Sequence, residues 1–243
     1  MKKVKIILFW IITLLSVNIS RAQDKTIGVG LLQVSLNHDI PLYHKKTGVC
    51  IDTLKFSRVK SGKQEGKFAI TTKLPFKPMD YYEGDSKEEG SRNTDVGLVY
   101  FAPSLSFRVL KRSNKKYLVV LNEDSFETAV IKKDDIHKLY TLGEPYWNMS
   151  HNSSSSDEIW FLYETWDTYL KRMMYVSTKG SKLYDSINGT EVTGRGDYWQ
   201  VVKIKGNWAK VVERKGSPNS KIAWVQWTDG KKLLIRPVSE VYF

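Results

Sequence analysis

The feature that most constrains the fold is a series of strand-like motifs that occurs twice, in the same order, along the chain. In each half a Val-Ser pair precedes a Leu-Tyr pair, two aromatic residues follow nine or ten positions apart, and an apolar strand closes the series. The matches pair a segment of the first half with one of the second: 33–35 with 175–177, 41–43 with 182–184, Phe107 with Trp199, Tyr117 with Trp208, and 129–131 with 223–225. Five matches in one order indicate a duplicated unit.

The segments inside each unit alternate apolar and polar residues and are rich in β-branched and aromatic side chains. This alternation is typical of half-buried strands. In the stretch 199–212 two such runs flank Gly206-Asn207, a pair that favours a hairpin turn. Residues 113–116 are in the corresponding place in the first half. The sequence therefore predicts a mainly β protein.

The two copies differ by a long insertion in the first. Tyr43 and Phe107 are 64 positions apart, whereas Tyr184 and Trp199 are 15 apart, so the first copy has about 49 extra residues, at 56–103. The insertion contains prolines and a charged polar run, which predicts a long loop with one hairpin at its residues 68–74. We expect it to lie over the first unit or against the second and to supply part of a binding surface; the alternative is a flexible loop without such a role.

A connector separates the two copies. Residues 148–157 are rich in Ser and Asn and are expected to form a loop. Ser155 precedes Glu158 by three positions, which is the spacing of a capping box at a helix N-terminus. Apolar residues then recur at helical spacing as far as Met173, so the sequence predicts an amphipathic helix at 157–172.

The beginning of the chain has the composition of a secretory signal peptide. A lysine-rich start is followed by an apolar run at 6–17, and the small residues Ser20 and Ala22 are spaced for cleavage before Gln23. The run is shorter than the roughly 20 residues that a membrane-spanning helix needs. We expect the mature protein to have no transmembrane segment and to be periplasmic, secreted or at the cell surface.

The chain is strongly basic. Its formal charge is +12, and residues 1–22 contribute four basic side chains and no acid, which leaves +8 after cleavage. This charge favours anionic partners such as glycan polymers, lipid headgroups or acidic proteins, with ordinary solubility as the alternative explanation. Nucleic acid is not an expected partner, because an exported protein acts outside the cytosol.

The motifs of the second copy match those of a known family. Trp199, the run 206–211 and the segment 223–225 follow the order of a W-x-x-V strand, a G-x-W-x-x-V strand and a G/A-W-V strand. This order resembles the bacterial SH3-like domains of exported proteins. The first copy fits more loosely, because Tyr117 and Val130 are at the tryptophan positions. The resemblance implies two small, strongly bent β-barrel units, joined here by the predicted helix.

The expected organisation combines the repeat, the insertion and the connector. It consists of a signal peptide at 1–22, a first SH3-like unit at 23–147 with the insertion 56–103, a loop and connector helix at 148–173, and a second SH3-like unit at 174–243. Some tandem members of the family are attached to papain-like cell-wall peptidases. Cys50 is in a β pattern with no helix start after it, so only binding modules remain.

Aromatic side chains are the candidates for ligand binding, because SH3-type grooves bind extended peptides or glycans on such rings. The candidates are Tyr184, Tyr198, Trp199, Trp208, Trp224 and Trp227 in the second unit, and Tyr81 and Tyr82 in the insertion. Strand alternation is expected to bury about half of these rings in the core.

The sequence predicts no catalytic residue, metal site or cofactor. Cys50 is flanked by apolar residues and is expected to be an inert thiol, and the four histidines lack the spacing of metal ligands. The expected function is a non-catalytic exported module that binds wall peptide, a surface glycan or an envelope protein. The alternative is an envelope hydrolase whose active site matches no recognised motif.

Overall fold

The protein is mainly β, as the alternating sequence pattern predicts. A computed structural model describes residues 25–35, 38–63, 65, 67–82, 104–135, 139–140, 161–193, 198–213 and 220–238. These residues form two sheets, one short 3-10 helix and one α-helix. The predicted signal peptide, the part of the insertion after residue 82 and the Ser/Asn-rich loop lie outside the described residues.

The first sheet has ten strands and curls into a half-barrel. Its strands are β1 (Gly30–Ser35), β2 (Ile40–Tyr43), β3 (Cys50–Arg58), β4 (Phe68–Thr71), β5 (Asp80–Tyr82), β6 (Ser104–Arg112), β7 (Lys116–Asn122), β8 (Glu127–Lys132), β9 (Leu139–Tyr140) and β10 (Phe161–Thr165). The 3-10 helix, Lys133–Asp135, follows β8. The strand order is β4-β3-β2-β8-β7-β6-β1-β10-β9, and β5 pairs with the first part of β6.

The second sheet has seven strands and follows helix α1 (Trp166–Arg172). Its strands are β11 (Tyr175–Ser177), β12 (Leu183–Tyr184), β13 (Glu191–Val192), β14 (Tyr198–Lys205), β15 (Trp208–Val212), β16 (Ile222–Gln226) and β17 (Arg236–Val238). The strand order is β13-β12-β16-β15-β14-β11-β17. Gly206-Asn207 forms the turn between β14 and β15, as predicted.

The two sheets have the same sequence of pairings over six strands. The order β3-β2-β8-β7-β6-β1 of the first sheet matches β13-β12-β16-β15-β14-β11 of the second. A further antiparallel strand pairs with the first strand of each set, β10 with β1 and β17 with β11. The register shift also recurs, between Val109 and Lys111 on β6 and between Val201 and Lys203 on β14.

The cross-strand register changes one of the residue matches made from the sequence. In the matched closing strands, Tyr117 pairs with Ile131, and Ala209 pairs with Val225. Tyr117 is therefore equivalent to Ala209 and not to Trp208. A slip of one residue moves a side chain to the opposite face of a sheet. Tyr117 and Ala209 accordingly face the core, whereas Trp208 lies on the outer face.

The first part of the insertion belongs to the first sheet, which corrects the prediction of a long loop for residues 56–82. Strand β3 continues to Arg58, β4 pairs along it, and β5 pairs with β6. Phe68 is buried in the first core, and Phe56 and Ile70, which face each other across β3 and β4, pack against it. The predicted hairpin at 68–74 is replaced by one that β4 forms with β3. Burial of alternate apolar side chains accounts for this extension of the sheet.

The predicted helix at 157–172 is wrong at residues 161–165, which form β10. This strand pairs with β1 along five residues and buries side chains on both of its faces. The helix begins only at Trp166, where the Thr165 hydroxyl accepts a hydrogen bond from the Thr168 backbone N–H at 3.2 Å. Pairing with β1 gives these backbone groups partners that the sequence pattern does not reveal.

The two sheets share a buried cluster. Leu31 of β1 packs with the inward-facing residues of β14, β15 and β16, together with Trp166 and Leu170 of α1. The Trp166 indole N–H donates a hydrogen bond to the Ile27 carbonyl at 3.1 Å, and its ring lies 5.9 Å from that of Trp227. The core of the second sheet therefore extends across α1 to the back of β1.

Candidate ligand-binding surface

The candidate surface is the outer face of the second sheet. Cross-strand register aligns five side chains, from β14, β15, β16, β12 and β13 in that spatial order. They are Lys203, Lys210, Trp224, Tyr184 and Glu191. Neighbouring strands are about 4.8 Å apart, so the four positions from Lys203 to Tyr184 span about 14 Å. We call these four positions, with Trp208, the basic-aromatic face.

Three aromatic rings form one end of the basic-aromatic face. Tyr184, Trp208 and Trp224 are all half-buried. The rings of Tyr184 and Trp208 meet edge to face, with centroids 5.4 Å apart and planes at 83°. The neighbouring residues Ala209 and Val225 point to the opposite side and are buried in the core. The three rings therefore cover the sheet from outside and keep part of their surface in solvent.

Lysines form the other end. Lys203 and Lys210 are directly opposite each other on β14 and β15, where Cβ atoms lie about 5 Å apart. Lys205, also on β14, is exposed next to them. Among the ion pairs between described residues, none involves these three lysines. The like charges repel each other in the free protein, which makes this end of the face suited to an anion.

At the β12–β13 edge of the second sheet, a lysine is paired with a carboxylate. Lys182 Nζ lies 2.7 Å from the Glu191 carboxylate. The hydrogen bond to Glu191 and its negative charge raise the pKa of Lys182. On this face of the second sheet, the lysines that lack a carboxylate partner among the described residues are therefore those on β14 and β15.

The structure removes two predicted residues from the candidate site. Trp199 is 1% exposed and Trp227 is 5% exposed, because both point into the shared cluster. The Trp227 indole N–H also donates a hydrogen bond to the Gly206 carbonyl at 2.9 Å. Strand alternation places these rings on the core side, so neither is available to a ligand.

Two further predicted rings, Tyr198 and Tyr81, lie away from the basic-aromatic face. Tyr198 is 55% exposed at the beginning of β14 and packs edge-on against Tyr175. Tyr81 is on β5, and its hydroxyl donates a hydrogen bond to the Phe68 carbonyl at 2.8 Å. The side chain of Tyr82 lies outside the described residues. Three of the eight predicted rings are thus gathered on one surface.

An open groove lies in the part of the first sheet that the insertion supplies. It has a volume of about 650 Å³ and is lined mainly by apolar residues of β4 and of the segment leading into β5, including Phe68, Ile70, Phe76 and Met79. All residues that line the groove belong to the insertion 56–103, whose contribution to a binding surface stays a prediction. The groove and the basic-aromatic face belong to different sheets.

Asp52 holds one side of this region in place. Its carboxylate accepts hydrogen bonds from the Thr72 hydroxyl and from the backbone N–H groups of Lys73, at 2.7 Å, and Leu74, at 3.2 Å. Burial alone would raise the pKa of Asp52, but these hydrogen bonds and one from the Thr53 N–H outweigh it and lower the pKa. Asp52 thereby fixes the chain as it leaves β4.

The equivalent face of the first sheet has a different composition. Pairing makes Tyr43 equivalent to Tyr184, but places Val130 and Leu118 where the second sheet has Trp224 and Lys210. Lys132 Nζ lies 3.5 Å from the centroid of the Tyr43 ring. Within the described part of the chain, only the second sheet combines the ring trio with facing lysines.

The lone cysteine and the four histidines are the other side chains with nucleophilic or metal-binding chemistry. Cys50 is a free, exposed thiol at the start of β3, in a strand as predicted. His44 contacts the Thr47 hydroxyl at 3.1 Å, and His137 and His151 lie outside the described residues. No three His, Cys, Asp or Glu side chains of the described ranges are grouped as metal ligands.

Among the residues that the structure describes, no helix has the length and apolar character to cross a membrane.

The residues predicted from the sequence to bind a ligand did not include the lysines of the basic-aromatic face. Lys210 lies two positions from Trp208 on one strand, so period-2 alternation puts both on the same face. That local signal was available in the sequence. The placement of Tyr184 beside Trp224 was not, because it depends on pairing between β12 and β16, about 40 residues apart.

The assignment of a function depends on the residues described above, because comparison with known proteins gives no match. No family model, no curated protein and no solved structure matches this chain.

Proposed function

We propose that this chain is an exported, non-catalytic binding protein whose two SH3-like units recognise a ligand of the cell envelope. The repeated pairing order of the two sheets supports two copies of one unit. The shared register shift, after Val109 in one sheet and Val201 in the other, supports the same conclusion. Bulges of this kind are specific local features, so their recurrence strengthens the case for duplication.

The observation that carries the binding function is the ring trio on the second sheet. Tyr184, Trp208 and Trp224 keep part of their surface in solvent, while none of the three is a member of the buried cluster of the second sheet. Large aromatic rings at partly open sites are the residues that most often provide binding energy at interfaces. We assign the primary ligand contact to the basic-aromatic face and an accessory contact to the groove near Tyr81.

The envelope is proposed as the location because of the signal-like beginning of the chain and its resemblance to exported SH3-like domains. The partner is a wall peptide, a surface glycan or an envelope protein. The basic charge of the chain is consistent with each of these when it carries acidic groups.

A sedimentation assay with isolated envelope material tests the proposal. The mature chain is mixed with purified peptidoglycan or with whole envelope fragments, and the fraction that sediments is measured. Trp208→Ala is expected to lower retention at least fivefold, and Tyr198→Ala, an exposed ring of the same sheet, is the matched control. Equal retention of wild type and the Trp208→Ala variant would remove this face as the binding site.

A further inference from the structure

We propose that the ligand of the basic-aromatic face is a carboxylate-bearing glycan chain, an inference that rests on the proposed binding function. The chain lies across the strands from Lys203 to Tyr184. Its sugar rings contact the aromatic trio, and its carboxylates contact the lysine end. The argument depends on the charge pattern, on the shape of the ring trio and on the face of the sheet that is used.

The charge pattern selects an anionic ligand. Lys203 and Lys210 face each other in register, a placement that is unfavourable in the free protein because like charges directly opposite on a sheet repel. Lys205 adds a third positive charge on the same face of β14. A carboxylate bound between these side chains relieves the repulsion, so the ligand gains an attraction that neutral polymers lack.

The arrangement of the trio favours contact with a single ring face. Trp208 and Tyr184 pack edge to face, with ring planes at 83°, so these two rings do not form a slot with parallel walls. Pro-rich peptides dock in grooves lined by aromatic rings. The C–H face of a sugar ring is flat and apolar and needs only one exposed ring face. The Gln226 amide, opposite Trp208 on β16, can bond the sugar hydroxyls.

The position of the trio also disfavours a peptide that adds as a strand. Strand addition needs an unpaired sheet edge. The rings are on β12, β15 and β16, and each of these strands is paired on both sides. Their backbone groups are therefore occupied in the sheet. The ligand contacts side chains only, which suits a polymer without peptide groups.

The closing experiment uses immobilised polygalacturonate as the acidic glycan, dextran as the neutral glycan and polyglutamate as the acidic peptide. The mature wild type is expected to bind polygalacturonate, to ignore dextran, and to bind polyglutamate at least tenfold more weakly. Binding should weaken as salt is raised, because exposed charges are screened. The Lys203→Gln/Lys210→Gln variant should bind polygalacturonate about tenfold more weakly than wild type, a loss expected from two contacts with anions.

The matched control is Lys111→Gln/Lys115→Gln, which removes the same charge from the first unit and is expected to bind like wild type. The Lys203→Gln/Lys210→Gln variant should fold normally, because it removes a pair of like charges that repel each other. Binding of polyglutamate as tight as that of polygalacturonate, or equal affinities for the two double variants, would overturn the inference.

The sedimentation assay separates this failure from failure of the proposed function. If Lys203→Gln/Lys210→Gln is retained by envelope material like wild type while Trp208→Ala is not, the face binds a ligand of another class. If Trp208→Ala is also retained, the envelope is bound by another surface and this inference fails with the site assignment. If wild type itself is not retained, the proposed binding function is refuted.

Discussion

The placement of two tryptophans on opposite faces of one hairpin gives a quantitative test of the fold. Trp199 on β14 is 1% exposed and is part of the shared cluster, whereas Trp208 on β15 is half-buried outside it. Truncation of a core tryptophan to alanine costs about 3–5 kcal/mol. Trp208→Ala removes the contact with Tyr184 and some partial burial, for a total of about 1–2 kcal/mol.

The assay is urea unfolding of residues 23–243 followed by far-UV circular dichroism, since the substitutions alter tryptophan fluorescence directly. With an m-value of about 3 kcal/mol/M, Trp199→Ala lowers the midpoint by about 1 M or more and Trp208→Ala by about 0.5 M. Both variants should keep the wild-type m-value. A loss for Trp208→Ala that equals or exceeds that of Trp199→Ala would show that the assigned faces of β14 and β15 are wrong.

Three further substitutions, the last with a matched control, test individual contacts. Asp52→Asn is expected to destabilise the protein by about 1 kcal/mol at neutral pH. The folded-state pKa of Asp52 is lowered, so its stabilisation is complete above the unfolded-state value near 3.8 and is lost as pH falls through the folded value. Wild type and variant should therefore converge in thermal melts at strongly acidic pH, and a constant difference would contradict this role. Arg172→Met removes the two hydrogen bonds, of 2.8 and 2.6 Å, that its guanidinium donates to the buried Glu164 carboxylate. The expected loss is about 3–5 kcal/mol in the urea midpoint assay, and a loss below about 1 kcal/mol would refute it. Gly30→Ala places a Cβ 2.0 Å from the Glu164 carbonyl oxygen and should disrupt the pairing of β1 with β10. Gly48→Ala meets no atom within 4 Å and should cost only about 1–2 kcal/mol, from its positive φ; equal losses in thermal melts would contradict this close approach.

Much of the strand framework could be predicted because its signals are local. Period-2 alternation and the Gly206-Asn207 turn each depend on a few consecutive residues, and both predicted elements are present. The Tyr117 match was wrong by one residue because it paired aromatic residues by type, although the cross-strand pairs Val109–Val119 and Val201–Val211 have the same spacing. This register is visible only when the pairing of each strand is known.

The elements that failed are those defined by distant partners. Residues 161–165 contain apolar side chains that fit a helix or a strand, and pairing with β1, about 130 residues earlier, decides for the strand. Strand β4 is only four residues long, so its signal is weak until β3 is known to pair with it. The same limit applies to the site, where Tyr184 reaches Trp224 only through long-range pairing.

Titration of ¹⁵N-labelled residues 23–243 with polygalacturonate tests the central claim most directly, through the indole N–H signals in a two-dimensional ¹H–¹⁵N spectrum. The described tryptophans are divided by the fold into surface rings, Trp208 and Trp224, and buried rings, Trp166, Trp199 and Trp227. The account predicts that the signals of Trp208 and Trp224 shift as the polymer is added, while those of the three buried rings stay in place. Unchanged signals for Trp208 and Trp224 in the presence of bound polymer would contradict it.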